Sequence, residues 1–290
     1  MAPPNAAPRA ATARERVRAE LSREIKEEAR RQLAASGAGG LSLRAVAREL
    51  GMVSSALYRY YPSRDDLLTA LIIDAYNALG SAAEGAIAAG HAQGVPARAR
   101  WTAVCHAVRG WALANPHEYA LIYGSPVPGY RAPEATIGPA ARVPLAFVGL
   151  LSDALAHGDL TGTRGVGGVG AAARGNGAAA GGTGVAAATT ALPVTGPLAV
   201  QASALSAALA QSAPSAGGPA GGAAPDALPP NAVPPGAVPP DMLVRAVIAW
   251  TQLFGMISFE LFGQFVGSFE PADGLFGHAA QQLAAFVGLH

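Results

Sequence analysis

Residues 42–68, SLRAVARELGMVSSALYRYYPSRDDLL, decide how this chain is read. Ser42 stands where a helix N-cap belongs, because its hydroxyl can accept from a backbone N–H that the first turn leaves unpaired. Leu43, Val46, Ala47 and Leu50 follow at the three- and four-residue spacing of one buried helical face. Gly51 supplies a turn. A further short helix is expected over Ser54 to Tyr60, closed by Pro62, which disfavours helical geometry in the residue before it. Ser63-Arg64-Asp65-Asp66 reads as a capping-box-like start to the next helix, with carboxylates in the first turn where the dipole favours them. Leu67, Leu68, Leu71, Ile72, Ala75 and Leu79 give that helix its apolar stripe.

Upstream, Val17, Leu21, Ile25, Ala29 and Leu33 recur every four residues, predicting a long amphipathic helix from Arg14 that Gly37, Gly39 and Gly40 end. Residues 1–13, rich in Ala and Pro, are expected to be a disordered tail. Downstream, helices are predicted over Trp101–Asn115, His117–Tyr123 and Ala140–His157, the last interrupted near its start by Pro144. A strongly apolar helix capped by Asp241 should run to about Val266, and Asp273–Val287 makes the last. No stretch alternates with the period of a strand, so the fold class is all-α.

Residues 158–240 hold four charged side chains, Asp159, Arg164, Arg174 and Asp226, and no aromatic residue. Such a segment cannot bury enough surface to offset its ordering entropy, so it reads as a disordered low-complexity insertion. Only the Ala-rich Leu198–Gln211 patch has the composition of a transient helix.

The formal net charge of +1 hides an asymmetry: residues 1–70 carry 12 Lys and Arg against 8 Asp and Glu, and the remainder 8 against 11. A basic N-terminal segment suits a polyanion partner, provided a motif stands behind it. Cys105 is the only cysteine, which rules out an intramolecular disulfide and fits a reducing cytoplasm. Met1–Thr12, with Pro3, Pro4 and Pro8, lacks the apolar core of a secretory signal. The apolar stretch Ala246–Phe259 is flanked by Arg245 and Glu260 and interrupted by Gln252. It falls short of the roughly 20 residues a membrane span needs, so a buried helix and no membrane partner are expected.

Three short helices with Gly51 in the turn between the second and third follow the helix-turn-helix plan, in which the third lies in the major groove of DNA. That helix would display Ser54, Ser55, Tyr58 and Arg59, polar groups suited to phosphate and base edges. Ser42 and Arg44 open the second helix, where backbone N–H groups and the dipole attract phosphate. Arg64 is placed for a second phosphate contact, and the phenol of Tyr61 can also reach the backbone.

Leu43-x-x-Val46-Ala47-x-x-Leu50-Gly51 followed by Ala56-Leu57-Tyr58-Arg59-Tyr60-Tyr61-Pro62-Ser63-Arg64-Asp65-Asp66-Leu67-Leu68 resembles the DNA-binding domain of the tetracycline-repressor (TetR) family over roughly residues 15–75. The family's usual Val-Ser-Lys-Gly ahead of that run stands here as Met52-Val53-Ser54-Ser55, so one expected basic contact is missing. Further on, Trp111-Ala-Leu-Ala-Asn115-Pro116-His117-Glu118-Tyr119, Tyr123-Gly124-Ser125-Pro126-x-Pro128-Gly129-Tyr130 and Trp250-x-x-Leu253-Phe254-Gly255 with Phe259-Glu260 are similar to the WHG-type C-terminal domain. The resemblance implies a DNA-binding domain at 14–80 and an effector-binding and dimerisation bundle at 81–290, interrupted by the 158–240 insertion. It further implies a homodimer on a near-palindromic double-stranded operator, a repressor released by a small-molecule effector. Trp111, Tyr119, Tyr123, Trp250 and Phe254 are the candidate pocket residues. Aromatic residues at this spacing also serve as plain core, and Phe254, Ile257 and Leu261 share a face that would serve a dimer interface.

Nothing in the chain argues for catalysis, a cofactor or a metal. Cys105 and His106 are neighbours about 100° apart on a helix and do not face each other. The thiol reads as a small buried side chain, and His106 and His117 as capping or core residues. Asp65 and Asp66 are explained by helix capping. Gly165-Val166-Gly167-Gly168-Val169-Gly170 matches G-x-G-x-x-G only formally, lacking a strand before it and a helix after it. Two rival readings remain at this level. One is a small-molecule-binding protein or enzyme on the same bundle that no longer binds DNA; the other is a membrane-associated helical protein.

Overall fold

The computed structural model describes residues 13–160, 194–211 and 238–290. The tail, the glycine run 165–170 and much of the 158–240 stretch lie outside the described residues. The element order is α1 Ala13–Ser36, α2 Leu43–Glu49, α3 Ser54–Leu57, α4 Arg64–Ala92, α5 Ala97–Ala114, α6 Pro116–Tyr123, α7 Ile137–His157, α8 Gly196–Gln211, α9 Pro240–Leu261 and α10 Asp273–Phe286. Among the described residues the only extended pairing is one antiparallel bridge, Leu160 to Leu289. The protein is all-α.

The chain forms two compact units, divided within α4, α5 and α7: residues up to Ser81 with Gly110–Arg142, and Ala82–Arg109 with Val143–His290. In the first, Ile25, Ala29 and Leu33 of α1, Leu43, Val46 and Ala47 of α2, Leu57 of α3, and Leu67, Leu68, Leu71 and Ile72 of α4 make one core. Gly37 ends α1 with φ +66°, its N–H donating to the Leu33 carbonyl at 2.9 Å, a left-handed cap that a side chain would strain. Helix α6 lies against α1. There Lys26 Nζ and Arg30 Nη2 meet Asp74 at 2.7 and 2.8 Å, and Arg30 Nε meets Glu118 at 2.7 Å.

In the second unit Trp101 is buried edge-on to Phe147 at 4.9 Å, its indole N–H donating to the Ala280 carbonyl at 3.2 Å. Arg109 is nearly fully buried and is matched there by Glu260, at 2.7 and 2.5 Å, and by Asp273 at 3.0 Å. Its guanidinium also lies 5.0 Å from the Phe276 ring centre. A buried cation with carboxylates on two sides is tolerable; the same cation alone would cost several kcal/mol. The stretches Glu134–His157 and Pro240–Leu261 are long and apolar enough to cross a membrane by length and composition. In this unit they contribute Phe147, Leu150, Leu151, Leu253 and Ile257 to the buried interior.

Several expectations are corrected. Val17 is exposed, because the first two turns of α1 extend past the core that α2 and α4 provide. The third helix stops at Leu57 rather than Tyr60: the N–H groups of Tyr60 and Tyr61 both donate to the Leu57 carbonyl, at 2.8 and 3.1 Å, winding the chain up ahead of Pro62. Pro116 does not merely end a helix but opens α6 at its first position, where its missing N–H costs nothing. Asp241 is not the cap of α9; Pro239 holds that position, and Asp241 pairs with Arg245 at 2.8 Å. That helix ends at Leu261, five residues early, with Gly263 at φ +76° turning the chain away. His106 and His117 are exposed, neither capping nor core. Within the segment read as a disordered insertion with no more than a transient helix at Leu198–Gln211, α8 is a packed helix: Ala202 is buried and Ser206 Oγ donates to the Val238 carbonyl at 3.1 Å. Alanine's helix propensity together with a neighbouring apolar helix suffices there without aromatic residues.

Cys105 is buried, and burial pushes its thiol up to about 12. A thiol-specific reagent at mildly alkaline pH should leave folded protein unlabelled and react fully once it is denatured; labelling of the native chain at the denatured rate would contradict this burial. Leu57→Ala should lower stability by about 3 kcal/mol, read from denaturant unfolding, because Leu57 is fully buried. A loss under ~1 kcal/mol would mean that α3 is not seated through this side chain.

Candidate nucleic-acid interface

The site is assembled by a division of faces. Leu57 points into the core, so its neighbours Ser54, Ser55, Tyr58 and Arg59 are turned outward and exposed. Before α3, the chain reverses at Gly51, φ +64°, while the Met52 N–H donates back to the Ala47 carbonyl at 2.8 Å. That pins α3 against α2 and presents exposed Arg44 from the adjoining element.

The other three sequence-expected residues are occupied within the fold. Ser42 is the N-cap, its Oγ accepting the Ala45 N–H at 3.4 Å, and its own N–H donates to Gln32 Oε1 of α1 at 3.3 Å. The Tyr61 hydroxyl shares a 2.8 Å hydrogen bond with Ser22 Oγ. Arg64 reaches back across the head: Nη2 donates to the Ala38 carbonyl at 2.6 Å and Nε to that of Leu41 at 3.2 Å. It clamps the turn that aims α2. One exposed cation escaped the sequence reading: Arg48 lies one turn along α2 from Arg44. The i, i+4 spacing was the available signal.

Of the pocket candidates, Tyr119 is fully buried and stands 5.2 Å, ring to ring, from Tyr123, which meets Tyr76 edge-on at 6.0 Å, all in the first unit. Burial raises the Tyr123 phenol well above its ordinary value, and neighbouring Tyr76 and Tyr119 add to the rise. Trp111 also belongs to this unit. Trp250 and Phe254 belong to the second, 5.7 Å apart. Among the described residues, no group of His, Cys, Asp and Glu is arranged to hold a metal ion.

Helical among its described residues, with two short helices joined by a tight turn at Gly51 and exposed polar side chains on the second, the chain has the architecture of a helix-turn-helix protein. Residues 25–71 match the model for bacterial regulatory proteins of the tetR family, and residues 101–283 that for the tetracyclin repressor-like C-terminal domain. The chain belongs to the tetracycline-repressor family. It is 49% identical over 148 residues to the HTH-type transcriptional regulators Rv1816 of Mycobacterium tuberculosis and Mb1846 of Mycobacterium bovis, a match covering 49% of this chain. The chain spans 61% of the length of those relatives. The crystal structure of SCO4313, described as a regulatory protein, superposes with a TM-score of 0.59 at 31% identity, covering 94% of this chain and all of that one. A protein of unknown function from Rhodococcus sp. RHA1, at 21% identity and a TM-score of 0.56 over 93% of this chain and 95% of that one, shares the fold.

The placement of Arg64 yields a discriminating test. Arg64→Ala is expected to weaken duplex binding while leaving the dependence of log K on log salt unchanged, since the guanidinium holds backbone carbonyls. A slope lower by about one unit would instead make Arg64 a phosphate contact.

Proposed function

We propose that the chain is a sequence-specific DNA-binding transcriptional regulator, a repressor released by a small-molecule effector, and not an enzyme. The observation that carries this reading is the outward row Arg44, Ser54, Ser55, Tyr58 and Arg59, fixed from behind by buried Val46, Ala47 and Leu57. Arg59 is the side chain suited to guanine edges; Arg44, with Arg48 beside it, suits phosphates. Ser42, Tyr61 and Arg64 serve the same surface by orienting α2 and α3. DNA contact is thereby confined to residues 14–80, and 81–290 supplies effector binding and dimerisation. The work would be done in the cytoplasm, with no cofactor or membrane involved.

A homodimer on a near-palindromic operator is supported by α9. Ile248, Gln252, Gly255, Phe259 and Phe262 repeat at alternating four- and three-residue steps, and all are exposed. A stripe with that period buries well only against a second helix. For the effector, Trp250 is the most informative pocket candidate: its indole N–H is buried without a hydrogen-bond partner. An effector oxygen accepting that N–H would relieve a cost of roughly 1–3 kcal/mol.

Sequencing of genomic fragments captured by the purified protein should return a short inverted repeat. Capture with no enriched sequence would sink the reading as a specific regulator. Phe259→Asp should convert dimer to monomer in sedimentation velocity, while far-UV circular dichroism stays unchanged; an intact dimer would place the interface elsewhere.

A further inference from the structure

Helix α1 changes character along its length. Residues 20–36 hold four cations and four carboxylates, and every one of those cations is engaged. Arg23 pairs with Glu20 and Glu27, Lys26 with Asp74, Arg30 with Asp74 and Glu118, and Arg31 with Glu28. Residues 13–19 hold three arginines, Arg14, Arg16 and Arg18, and one carboxylate, Glu15. Among the described residues no ion pair involves any of the three arginines, and every residue from Ala13 to Glu20 is exposed. Even Val17, which continues the apolar stripe, is 61% exposed. Two turns of helix therefore project beyond the core with an excess of positive charge that the fold leaves unmatched.

The direction of that projection is set by two contacts. The Arg18 guanidinium lies over the Tyr60 ring, 5.6 Å from its centre, and one turn later Ser22 bonds the Tyr61 hydroxyl. Tyr60 and Tyr61 directly follow the exposed pair Tyr58-Arg59, so this face of α1 borders the recognition segment. Arg14 lies four residues before Arg18 on the same face, about 6 Å along the axis, whereas Arg16 points some 160–200° away.

We propose that the overhanging first two turns of α1 form a second DNA-contacting element, in which Arg14 and Arg18 grip the phosphate backbone flanking the groove that α3 enters. Their separation of about 6 Å along the helix is close to two nucleotide rises of about 3.4 Å each, which puts nearby phosphates of one strand within reach of both. Contacts of this kind add affinity and fix register without reading sequence. The element rests on the DNA-binding reading above and extends its footprint to one side.

The test uses the full chain and a random-sequence duplex, titrated at several salt concentrations, with Arg14→Ala/Arg18→Ala and Arg16→Ala compared against the unaltered protein. Each lost phosphate contact removes about 0.9 from the slope of log K on log salt. The double variant should lose about two units of slope, and Arg16→Ala essentially none. An unchanged slope in the double variant, or an equal loss per residue in Arg16→Ala, would overturn the element and leave DNA binding standing. Failure of the unaltered protein to bind with any salt dependence would overturn the DNA-binding reading itself, and this element with it.

Discussion

A four-residue helix cannot hold its own shape in water: nucleation costs more than one turn of hydrogen bonds returns. Helix α3 therefore exists only because Leu57 is drawn into the core that α1, α2 and α4 share. That single insertion sets which way Ser54, Ser55, Tyr58 and Arg59 face. Around it the other devices are directional. Ser42 starts α2, Gly51 reverses the chain, Ser63 Oγ accepts the Asp66 N–H at 3.1 Å to start α4, and Arg64 ties that start to the turn before α2. Ser42, Tyr61, Ser63 and Arg64 are engaged in aiming two short helices, while Arg44, Ser54, Ser55, Tyr58 and Arg59 are left facing outward.

The arginines show how environment, and not residue type, assigns a role. Arg109 is buried and bound by two carboxylates, which raise its basicity further and make it a joint between α5, α9 and α10. Arg30 joins α1 to α4 and α6. Arg64 donates to carbonyls and carries its charge as a by-product. Arg44, Arg48 and Arg59 remain exposed. A basic surface emerges by subtraction: Arg30, Arg64 and Arg109 find partners inside the fold, and Arg44, Arg48 and Arg59 keep their guanidinium groups at the surface.

Periodicity and capping made much of this legible in advance. The stripe Leu67, Leu68, Leu71, Ile72, Ala75 and Leu79 is buried as its spacing requires, and Ser42 caps the helix that its position announces. The resemblance carried by residues 43–68 placed the chain in its family. Illegible were features that depend on what lies opposite a residue. Val17 fits the stripe yet faces solvent because, among the described residues, no element extends far enough to cover it. Arg64 and Tyr61 look like surface groups but find Ala38, Leu41 and Ser22, partners 23 to 39 residues away. Helix α8 has a composition that reads as no more than a transient helix until α9 is there to receive it.

The helical class and the order and start of the helices in the head were legible in the residues alone, because they rest on local propensity, capping and spacing within a few turns, and the family was legible in the likeness carried by residues 43–68. Which cations stay exposed, that α3 stops at Leu57, and that residues 110–142 join the N-terminal unit were settled by the packed fold. Those outcomes turn on contacts between residues distant in sequence, and no period or composition records which distant group will arrive within hydrogen-bonding reach.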